Sequence, residues 1–486
     1  MQPRMEQARL SGWFDERHLV IPRVRPPLDS AFRPAALAAD RLLGKIRASA
    51  RARRIELALE QPGDVVSHHT TWTYDDGDGE MPGAEDVDVS AADHLVERDL
   101  KFLLWSRGAS RVYVDGPERL VTALRRHYGE DPAGLFDSKT LGDDVYRRPF
   151  EVVSASRENF PPEHRRPVWT GGHLDGCRIG FDLGASDRKT AAVVDGKVLF
   201  SEEIAWDPRV HADPQWHFDQ IDESLRRASE YLPRVDAIGG SSAGIFVDSE
   251  PRVASLFRAV PVDQFRTRVR DLFRDLRHAW GDIPFVVMND GDVTALAGAM
   301  MAGVTGMLGV AMGSSQAAGY VGPEGGLTTW LNELAFAPID FSPSAFRDEW
   351  SGDVGVGAQY FSQQAVARLM PIAGIEAAES LSQPELLLEL QRLMSLGDSR
   401  ARAVYETIGV YLGYGLQQYR RFYRFDHLLL LGRVMSGPGG EIIEDSARRV
   451  LETETAGAVN PVFHRASERD KRHGQAVAAA SLPELA

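Results

Sequence analysis

The sequence predicts an α/β protein in which a unit of three strands, a helix and a further strand occurs twice, after a separate N-terminal α+β region. Three observations indicate this organisation. The 486 residues exceed what one hydrophobic core usually serves. Short apolar segments joined by tight turns begin at Arg178, and the same order begins again at Met307. Each pass also carries a Gly- and Ser-containing turn, so we expect domains at 1–170, 171–300 and 301–486.

Composition and charge exclude several classes of protein. Hydrophobic residues make up 43% and charged residues 26%, and the longest apolar runs are too short to span a bilayer. The first residues lack an apolar signal core, and Cys177, the single cysteine, excludes an intramolecular disulfide, a cysteine-built zinc site and an iron–sulfur cluster. We therefore expect a cytoplasmic protein without a membrane partner. The net charge of −15 disfavours nucleic acid, so an anionic nucleotide needs locally focused donors.

The N-terminal region alternates strand and helix patterns and carries no motif that we can assign to chemistry. Apolar and polar residues alternate on both sides of 61–64, as in a β-hairpin that turns at Pro62-Gly63. His68 and His69 are adjacent on its second arm and point to opposite faces, which disfavours a shared metal. The remaining expected segments are a helix at 34–52, an acidic loop at 75–88, a helix at 91–106, a strand at 111–114, a helix at 117–128 and a linker at 154–172.

The first pass begins with the stretch around which the chain is organised, two apolar strands joined by the turn 182–189. This turn supplies a carboxylate at Asp182, a glycine at Gly184, a hydroxyl at Ser186 and a cation at Lys189. These groups suit a metal-bound polyphosphate, although an ordinary hairpin with a charged turn has the same composition. The pass continues with strands at 178–181, 191–194 and 198–204, a helix at 214–231, a strand at 237–239, a loop at 240–244, a helix at 262–279, a strand at 285–288, a polar loop at 289–292 and a helix at 293–302.

The second pass repeats this order with strands at 307–311 and 318–321 around a second Gly/Ser turn, 312–315. A long helix at 400–423 and a strand at 427–431 follow, and then the Gly-rich turn 432–440 opens a helix at 441–452. Helix N-termini after Gly-rich turns attract phosphate groups. The two passes therefore predict a nucleotide site formed by several turns.

Four of these motifs resemble those of the ROK sugar kinases, members of the actin-like, ribonuclease H-like and hexokinase-like ATPase superfamily, over about 178–480. Residues 182–186 resemble the first phosphate motif, and Asn289-Asp290-Gly291-Asp292 resembles the catalytic loop. Met312-Gly313-Ser314-Ser315 resembles the second phosphate motif, and 431–436 resembles the adenosine-binding turn. The resemblance implies a two-lobed fold with a duplicated βββαβα unit and the N-terminal α+β domain added.

The resemblance also implies ATP-dependent phosphoryl transfer to a sugar-like alcohol, with Mg²⁺ as cofactor. Asp290 would be the general base, and Asp182 would hold Mg²⁺ through water. For the other implied roles, ATP would contact Gly184, Ser186, Lys189, Gly313, Ser314, Ser315, Gly432 and Arg433, while the acceptor would contact Ser242, Asn289, Asp292 and Glu333. Structural alternatives stay open: Asp290 or Asp292 can be a helix cap, and Lys189 a solvated turn lysine.

The sequence departs from the ROK pattern around its sugar and zinc motifs. Phe336 stands where the family has a metal-binding His after its Glu, here Glu333, and 351–360 lacks the clustered cysteines and the sugar-binding Glu that normally follows. We therefore predict no structural zinc. Ser315, Ala317 and Ala318 also add Cβ atoms where relatives often have Gly beside phosphate.

Three hypotheses remain open. The first is a carbohydrate kinase, which we expect to be a homodimer whose lobes close on nucleotide and acceptor. The second is a catalytically weak or regulatory protein that binds carbohydrate or nucleotide; a DNA-binding form is the weaker version, because the first 170 residues show no winged-helix pattern. The third is an activator ATPase of a radical enzyme, which Cys177 alone cannot supply with cluster ligands.

Overall fold

The computed structural model describes residues 14–75, 83–164, 171–378, 380–465 and 468–485, with the backbone alone for 83–87 and 468–473. Parts of two expected segments, 76–82 of the acidic loop and 165–170 of the linker, lie outside the described residues. Among the described helices, none combines the length and the apolar character that a bilayer crossing requires.

The N-terminal region forms a four-stranded sheet with helices packed on it. Strand β1 pairs antiparallel with both β2 and β3, and β3 pairs parallel with β4, which gives the order β2-β1-β3-β4. The hairpin predicted at 61–64 is confirmed, with Gly63 and Asp64 in left-handed conformation. The loop prediction is wrong for 83–88, where the second helix has already begun. The elements are α1 Ala35–Ala48, β1 Ala52–Gln61, β2 Val65–Tyr74, α2 Gly83–Arg107, β3 Arg111–Asp115, α3 Glu118–Glu130, α4 Pro132–Lys139 and β4 Glu151–Ser154, with a π-helical turn at Thr140–Tyr146.

The first lobe is built on a five-stranded sheet of order β11-β8-β5-β6-β7. Strands β5, β6 and β7 form the expected antiparallel meander, while β8 and β11 add in parallel to β5. Parallel strands end at the same edge of a sheet, so the ends of β5, β8 and β11 lie side by side. The elements are β5 Cys177–Leu183, β6 Asp187–Val194, β7 Lys197–Ala205, α5 Pro214–Ser229, β8 Ala237–Ser242, β9 Ile245–Val247, β10 Glu250–Val253, α6 Val262–Gln264, α7 Leu272–Ala279, β11 Phe285–Asn289 and α8 Asp290–Ala302.

Three sequence predictions in this lobe are wrong in detail. The segment expected as a loop at 240–244 continues β8 as far as Ser242, where it pairs with β5 and β11. The single helix expected at 262–279 is divided into α6, a π-helical turn at Phe265–Val269 and α7. The polar loop expected at 289–292 is the first turn of α8, because the Asn289 side chain caps the helix one residue before Asp290.

The second lobe contains a four-stranded sheet of order β13-β12-β14-β15. Its first two strands form an antiparallel hairpin, and the third strand of the repeated unit is reduced to an isolated bridge between Val321 and Leu327. The helix expected from 441 starts at Pro438, inside the Gly-rich turn, since proline is well suited to a first helical turn. The elements are β12 Met307–Met312, β13 Gln316–Val321, α9 Gln363–Ile372, α10 Gln383–Ser395, α11 Ser399–Arg420, β14 His427–Leu431, α12 Pro438–Thr455, β15 Val462–Arg465 and α13 Glu468–Ala480.

Two helices each reach across to the other lobe. Helix α8 packs on β12 and β13, and the last helix, α13, packs on β5, β6 and β8 of the first lobe. Glycines permit both contacts: a Cβ on Gly239 would lie 1.7 Å from the carbonyl oxygen of Ala479, and one on Gly319 would lie 2.0 Å from that of Gly291. The two lobes are therefore joined by closely packed backbone as well as by the chain connection.

The N-terminal region and the second lobe share one continuous apolar core. Phe102 of α2 stacks on Phe422 at a ring-centroid distance of 4.0 Å, and both belong to a cluster that also contains β12 and α11 residues. The first lobe has its own core around Phe181 and Phe273. The N-terminal region thus packs against the second lobe as part of the same hydrophobic core.

Candidate active site

Three turns converge at the mouth of the cleft between the lobes. Gly432, with φ of +98°, lies directly on the end of β12, since a Cβ there would come within 2.4 Å of the Met312 carbonyl oxygen. The turns 313–315 and 432–433 are therefore neighbours. From the first lobe, Asp187 comes close enough for the positive charge of Arg433 to lower its pKa. The β5–β6 turn of the first lobe and the turns 313–315 and 432–433 of the second lobe thus lie close together.

The β5–β6 turn is held in one conformation by hydrogen bonds and an ion pair, both within the turn and from Trp206. The amide of Gly184 donates to the Asp187 carbonyl at 2.9 Å, and the Trp206 indole donates to the Gly184 carbonyl at 2.8 Å. The Ser186 hydroxyl donates to Asp187 Oδ2 at 2.9 Å. Lys189 Nζ lies 2.9 Å from Asp187 Oδ1, so it is ion-paired rather than freely solvated.

Asp182 is the penultimate residue of β5, just before this turn, and is buried. The Ser241 hydroxyl donates to its Oδ1 at 2.8 Å, and Lys189 Nζ lies 3.7 Å from its Oδ2. Burial raises the pKa of Asp182 to about 6, against the effects of Lys189 and Ser241, and the nearby Asp290 carboxylate raises it further. Asp182 and Asp290 therefore belong to one electrostatic site.

Gln475 of α13 joins this site from the far end of the chain. Its side-chain amide donates to Ser241 Oγ at 3.0 Å and to the backbone carbonyl of Asp290 at 3.3 Å. The sequence offers no signal for this residue, because its position depends on packing between segments more than 180 residues apart. Gln475 links the ends of β8 and β11 beside Asp182.

Asn289 is the N-cap of α8, and Asp290 is the first residue of the helix. Asn289 Oδ1 accepts from the Gly291 amide at 2.7 Å, and its Nδ2 donates to the Gly244 carbonyl at 2.7 Å. Both side-chain groups of Asn289 are thus used within the fold, and the cap expected as an alternative for Asp290 is Asn289. Asp290 is half-buried, and burial raises the pKa of its carboxyl.

Asp292 and Glu333 complete a group of carboxyls around Asp290. Asn332 Nδ2 donates to Asp292 Oδ1 at 2.8 Å, and burial raises the pKa of Asp292 to about 7. Burial raises the pKa of Glu333 to about 8, with further increments from Asp290 and Asp292. A Glu333 carboxyl that keeps its proton at neutral pH can donate a hydrogen bond as well as accept one.

The remaining candidate site residues differ in their exposure and in whether their polar groups are already hydrogen-bonded. The Ser242 hydroxyl is buried and has no hydrogen-bond partner among the described residues. Ser314, Ser315 and Arg433 are exposed at the cleft. The backbone of Gly313 is tied down at both ends, donating to the Ser315 carbonyl at 3.0 Å and accepting from the Gln363 amide at 2.9 Å. The turn groups are thus exposed to solvent, whereas the unpartnered Ser242 hydroxyl lies in the interior.

The possible metal ligands near Asp182 are few. Within the described residues, no group of three or more His, Cys, Asp or Glu side chains is arranged to hold a metal ion. Mg²⁺ bound with a nucleotide needs only one or two carboxylates plus phosphate oxygens. Asp182, whose burial and negative neighbour Asp290 disfavour its ionised form, fits that requirement, because a divalent cation would relieve both costs.

The segment where ROK kinases carry their zinc motif is held here by the N-terminal region. Phe336 packs against Trp105 at a ring-centroid distance of 4.3 Å. Asp353 accepts from Arg98 at 2.8 Å and lies 3.1 Å from Lys101 Nζ, and these cations hold the pKa of Asp353 well below its usual range despite burial. The absence of zinc stays a prediction, but the structure shows what supports this segment.

Comparison with known proteins supports the fold. No protein-family model matches the chain, and no curated protein matches it in sequence. Among solved structures, a ROK family transcriptional regulator, a homologue of the E. coli MLC protein, is 19% identical over 64% of this chain and 79% of its own, with a TM-score of 0.50. A ROK hexokinase from Thermus thermophilus is 19% identical over 63% of this chain and 97% of its own, with a TM-score of 0.49.

A ROK family glucokinase from Streptomyces griseus, solved with glucose and AMPPNP, is also 19% identical, over 63% of this chain and 99% of its own, with a TM-score of 0.47. At these identities the likeness concerns the fold and not the activity. The fold expected from the four motifs is confirmed. The chain has the two-lobed, actin-like ATPase fold of the ROK proteins, with an N-terminal α+β region built onto its second lobe.

Proposed function

We propose that this protein transfers the γ-phosphoryl group of ATP to a hydroxyl of a sugar or sugar-like molecule. The observation that carries the proposal is the position of Asp290. Its carboxyl begins α8, close enough to Asp182 to raise the pKa of that group, at the edge of the sheet where the phosphate turns meet. A base beside a polyphosphate site is the arrangement that phosphoryl transfer to an alcohol requires.

Asp290 accepts the proton of the acceptor hydroxyl in this proposal. Burial raises the pKa of Asp290, which makes its carboxylate a stronger base toward the hydroxyl proton. The Asn289 cap fixes the start of α8 and so fixes the Asp290 backbone. Asn289 therefore acts as a positioning residue, since its own amide groups are already bonded.

Ser242 and Glu333 orient the acceptor on either side of Asp290. The Ser242 hydroxyl is buried without a partner among the described residues, a state that costs free energy until a ligand hydroxyl bonds to it. Glu333, protonated at neutral pH, donates to a second hydroxyl. Asp292 is bonded to Asn332 and to the Tyr320 amide, so it supports the segment that carries Glu333.

The three turns hold the nucleotide. Ser186 and Lys189 contact the phosphates from the first lobe, while the amides and hydroxyls of Ser314 and Ser315 contact them from the second. Gly432 and Arg433 flank the adenosine, with Gly184 and Gly313 allowing close backbone approach. Asp182 holds Mg²⁺ through water, and a bound Mg²⁺ supplies positive charge for the transferring phosphoryl group.

A regulatory protein that binds carbohydrate or nucleotide without efficient turnover is the second candidate. The Cβ atoms of Ser315, Ala317 and Ala318 at the second phosphate turn favour it, and a ROK regulator shares the fold. Asp182 and Asp290 support the kinase, because ligand binding alone does not need a carboxylate placed as a general base beside a polyphosphate site. A homodimer and a cytoplasmic location belong to the same proposal.

Calorimetry and a product assay separate the two candidates. The kinase predicts that AMPPNP binds in the presence of Mg²⁺ and that Mg·ATP yields ADP only when a sugar, aminosugar or polyol from a panel is added. The regulator predicts binding of one ligand without ADP release. Failure of AMPPNP to bind, together with no ADP release across the panel, would contradict the proposed activity.

A further inference from the structure

A cavity of about 660 Å³ lies where the N-terminal region and both lobes meet. Its walls include the hairpin turn at Gln61 and Gly63, the β9–β10 hairpin and Trp330 of the second lobe. Asn289 and Asp292, which flank Asp290 in sequence, also line it. The volume is in the range that small-molecule sites occupy. The cavity therefore suits a ligand about the size of a monosaccharide derivative.

Arg252 lines this cavity and is a buried cation with incomplete partners. Its side chain is 10% exposed, and its Nη2 lies 3.2 Å from Glu250 Oε2. The same oxygen also accepts from Arg147 at 2.8 Å, so one carboxylate serves two guanidinium groups. Arg252 Nε has no hydrogen-bond partner among the described residues. A buried donor without a partner is costly unless a ligand uses it.

The surroundings of Arg252 carry more positive than negative charge. Burial lowers the pKa of Arg252, and Arg147 and Arg270 lower it further, against the raising effects of Glu250 and Asp248. Arg270 shows the same pattern: burial, Arg147 and Arg266 lower its pKa against Asp144 and Glu250. The Nε of Arg270 is likewise buried without a partner within the described parts of the chain.

Two more arginines line the cavity but already have carboxylate partners. Arg274 pairs with Asp271 at 2.6 Å, and Arg277 lies 3.7 Å from Asp282. The cations with incomplete partners are therefore Arg252 and Arg270, whose Nε atoms have none among the described residues, while the exposed Arg147 pairs with Glu250. Arg147, Arg252, Arg266 and Arg270 outnumber Asp144, Asp248 and Glu250 here by one charge. In a chain whose net charge is −15, an anion beside the nine-tenths buried Arg252, whose Nε has no partner among the described residues, would be stabilised.

We propose that this junction cavity binds a small organic anion, a molecule bearing a phosphate or a carboxylate, with the Arg252 guanidinium as its principal charged contact. Guanidinium groups bind both anions by paired hydrogen bonds. The ligand would touch the N-terminal hairpin, the first lobe and the second lobe at once. Binding there favours one relative arrangement of the three parts by its contacts with each.

Isothermal titration calorimetry on the full chain, without ATP, tests this proposal. The probes are glucose 6-phosphate, glucuronate and uncharged glucose, at low and high salt. We expect at least one anionic probe to bind about tenfold or more tightly than glucose, with an affinity that falls as salt rises. Because no nucleotide is present, the outcome is independent of whether the protein is a kinase.

Variants locate the site. Arg252→Gln removes the charge, and we expect it to weaken the anionic probe about tenfold or more while leaving glucose unchanged. Arg277→Gln, at a half-exposed position on the same cavity, is the second variant and tolerates substitution without loss of fold; it should weaken the probe by a smaller factor. Arg234→Gln, at an exposed site outside the cavity, is the matched control.

The results that overturn the proposal are equally defined. Glucose 6-phosphate and glucuronate that bind no better than glucose would refute an anion site. An anionic probe whose affinity is the same for Arg252→Gln, Arg277→Gln and the native chain would place the site elsewhere. With Mg·ATP added, ADP release that depends on the bound anion would make it the acceptor, and altered AMPPNP affinity without ADP release would make it an effector.

Discussion

Ser241 donates a hydrogen bond of 2.8 Å to Oδ1 of Asp182, at the point where β5 and β8 end side by side. This bond opposes burial, which raises the pKa of Asp182 to about 6. Gln475 holds the Ser241 hydroxyl from the other side. The protonation state of Asp182 therefore depends on a small network that spans three distant segments of the chain.

Replacing Ser241 with Ala should shift the pH dependence of activity. The substitution removes a bond to the ionised carboxylate, so the pKa of Asp182 rises further and the acidic limb of the kcat/KM profile moves to higher pH. We expect kcat/KM to fall roughly two- to fivefold at pH 6 and to change little at pH 8. Ser229→Ala, on the exposed end of α5, is the control. An acidic limb that does not move would show that Asp182 does not govern it.

Glu333 makes stability depend on pH in a direction that can be measured. Its folded-state pKa of about 8 lies above the ordinary value of 4.5, so the folded chain holds this proton more tightly than the unfolded chain does. The stabilising contribution of Glu333 to the free energy of unfolding is complete below pH 4.5 and is lost as pH rises through 8. Glu333→Gln cannot ionise, so its free energy of unfolding should fall less between pH 5 and 9.

Urea unfolding at several pH values provides the measurement for Glu333, with the exposed Glu452→Gln as control. If Glu333→Gln and the native chain lose stability in parallel across this range, the raised pKa of Glu333 is refuted.

The buried ion pairs of the N-terminal region predict that Lys101→Met strongly lowers the free energy of unfolding. Lys101 Nζ lies 2.7 Å from Asp137 Oδ2 and 3.1 Å from Asp353 Oδ2, and its side chain is fully buried. Removing it leaves two buried carboxylates short of a partner, which should cost about 3–5 kcal/mol. Arg53→Met, at an exposed pair with Asp115, should cost at most about 1 kcal/mol. Equal urea midpoints for the two variants would contradict this assignment.

Although the short strands β4, β9, β10 and β15 were not predicted, local pattern was sufficient for most of the strands, because alternation and turn residues act over a few positions. The hairpin around Gly63 and the strand from His427 to Leu431 are examples. Contacts between distant segments were not predictable. The sequence gives no indication that Gln475 bonds to Ser241. It also cannot show that both side-chain amide groups of Asn289 are hydrogen-bonded within the protein.

The contact between the N-terminal region and the second lobe was likewise not predictable from local pattern. From sequence, the N-terminal region is a separate domain joined by a linker. In the structure, Phe102 packs on Phe422 and Arg98 binds Asp353, so one core crosses the expected boundary. Such sharing depends on complementary surfaces that are formed only after both segments fold.

Nucleotide and acceptor together should close the two lobes. The phosphate turns at 184–186 and 313–315 belong to different lobes, so a ligand that touches both favours the closed arrangement. The hinge is expected near 299–305, where Gly303 ends α8 in left-handed conformation. Small-angle scattering should show a smaller radius of gyration with AMPPNP, Mg²⁺ and acceptor than with either ligand alone. An unchanged radius at saturation would argue against closure.

The most direct measurement of the central claim is the formation of a phosphorylated acceptor by the native chain and by Asp290→Asn. With Mg·ATP and the panel of sugars, aminosugars and polyols, ADP and phosphorylated product should appear together in equal amounts for at least one acceptor. Asp290→Asn should retain the fold and AMPPNP binding but lose about 10²–10⁴-fold in turnover. The exposed Asp426→Asn should match the native chain. No phosphorylated product from any acceptor, or equal turnover by Asp290→Asn, would contradict the account.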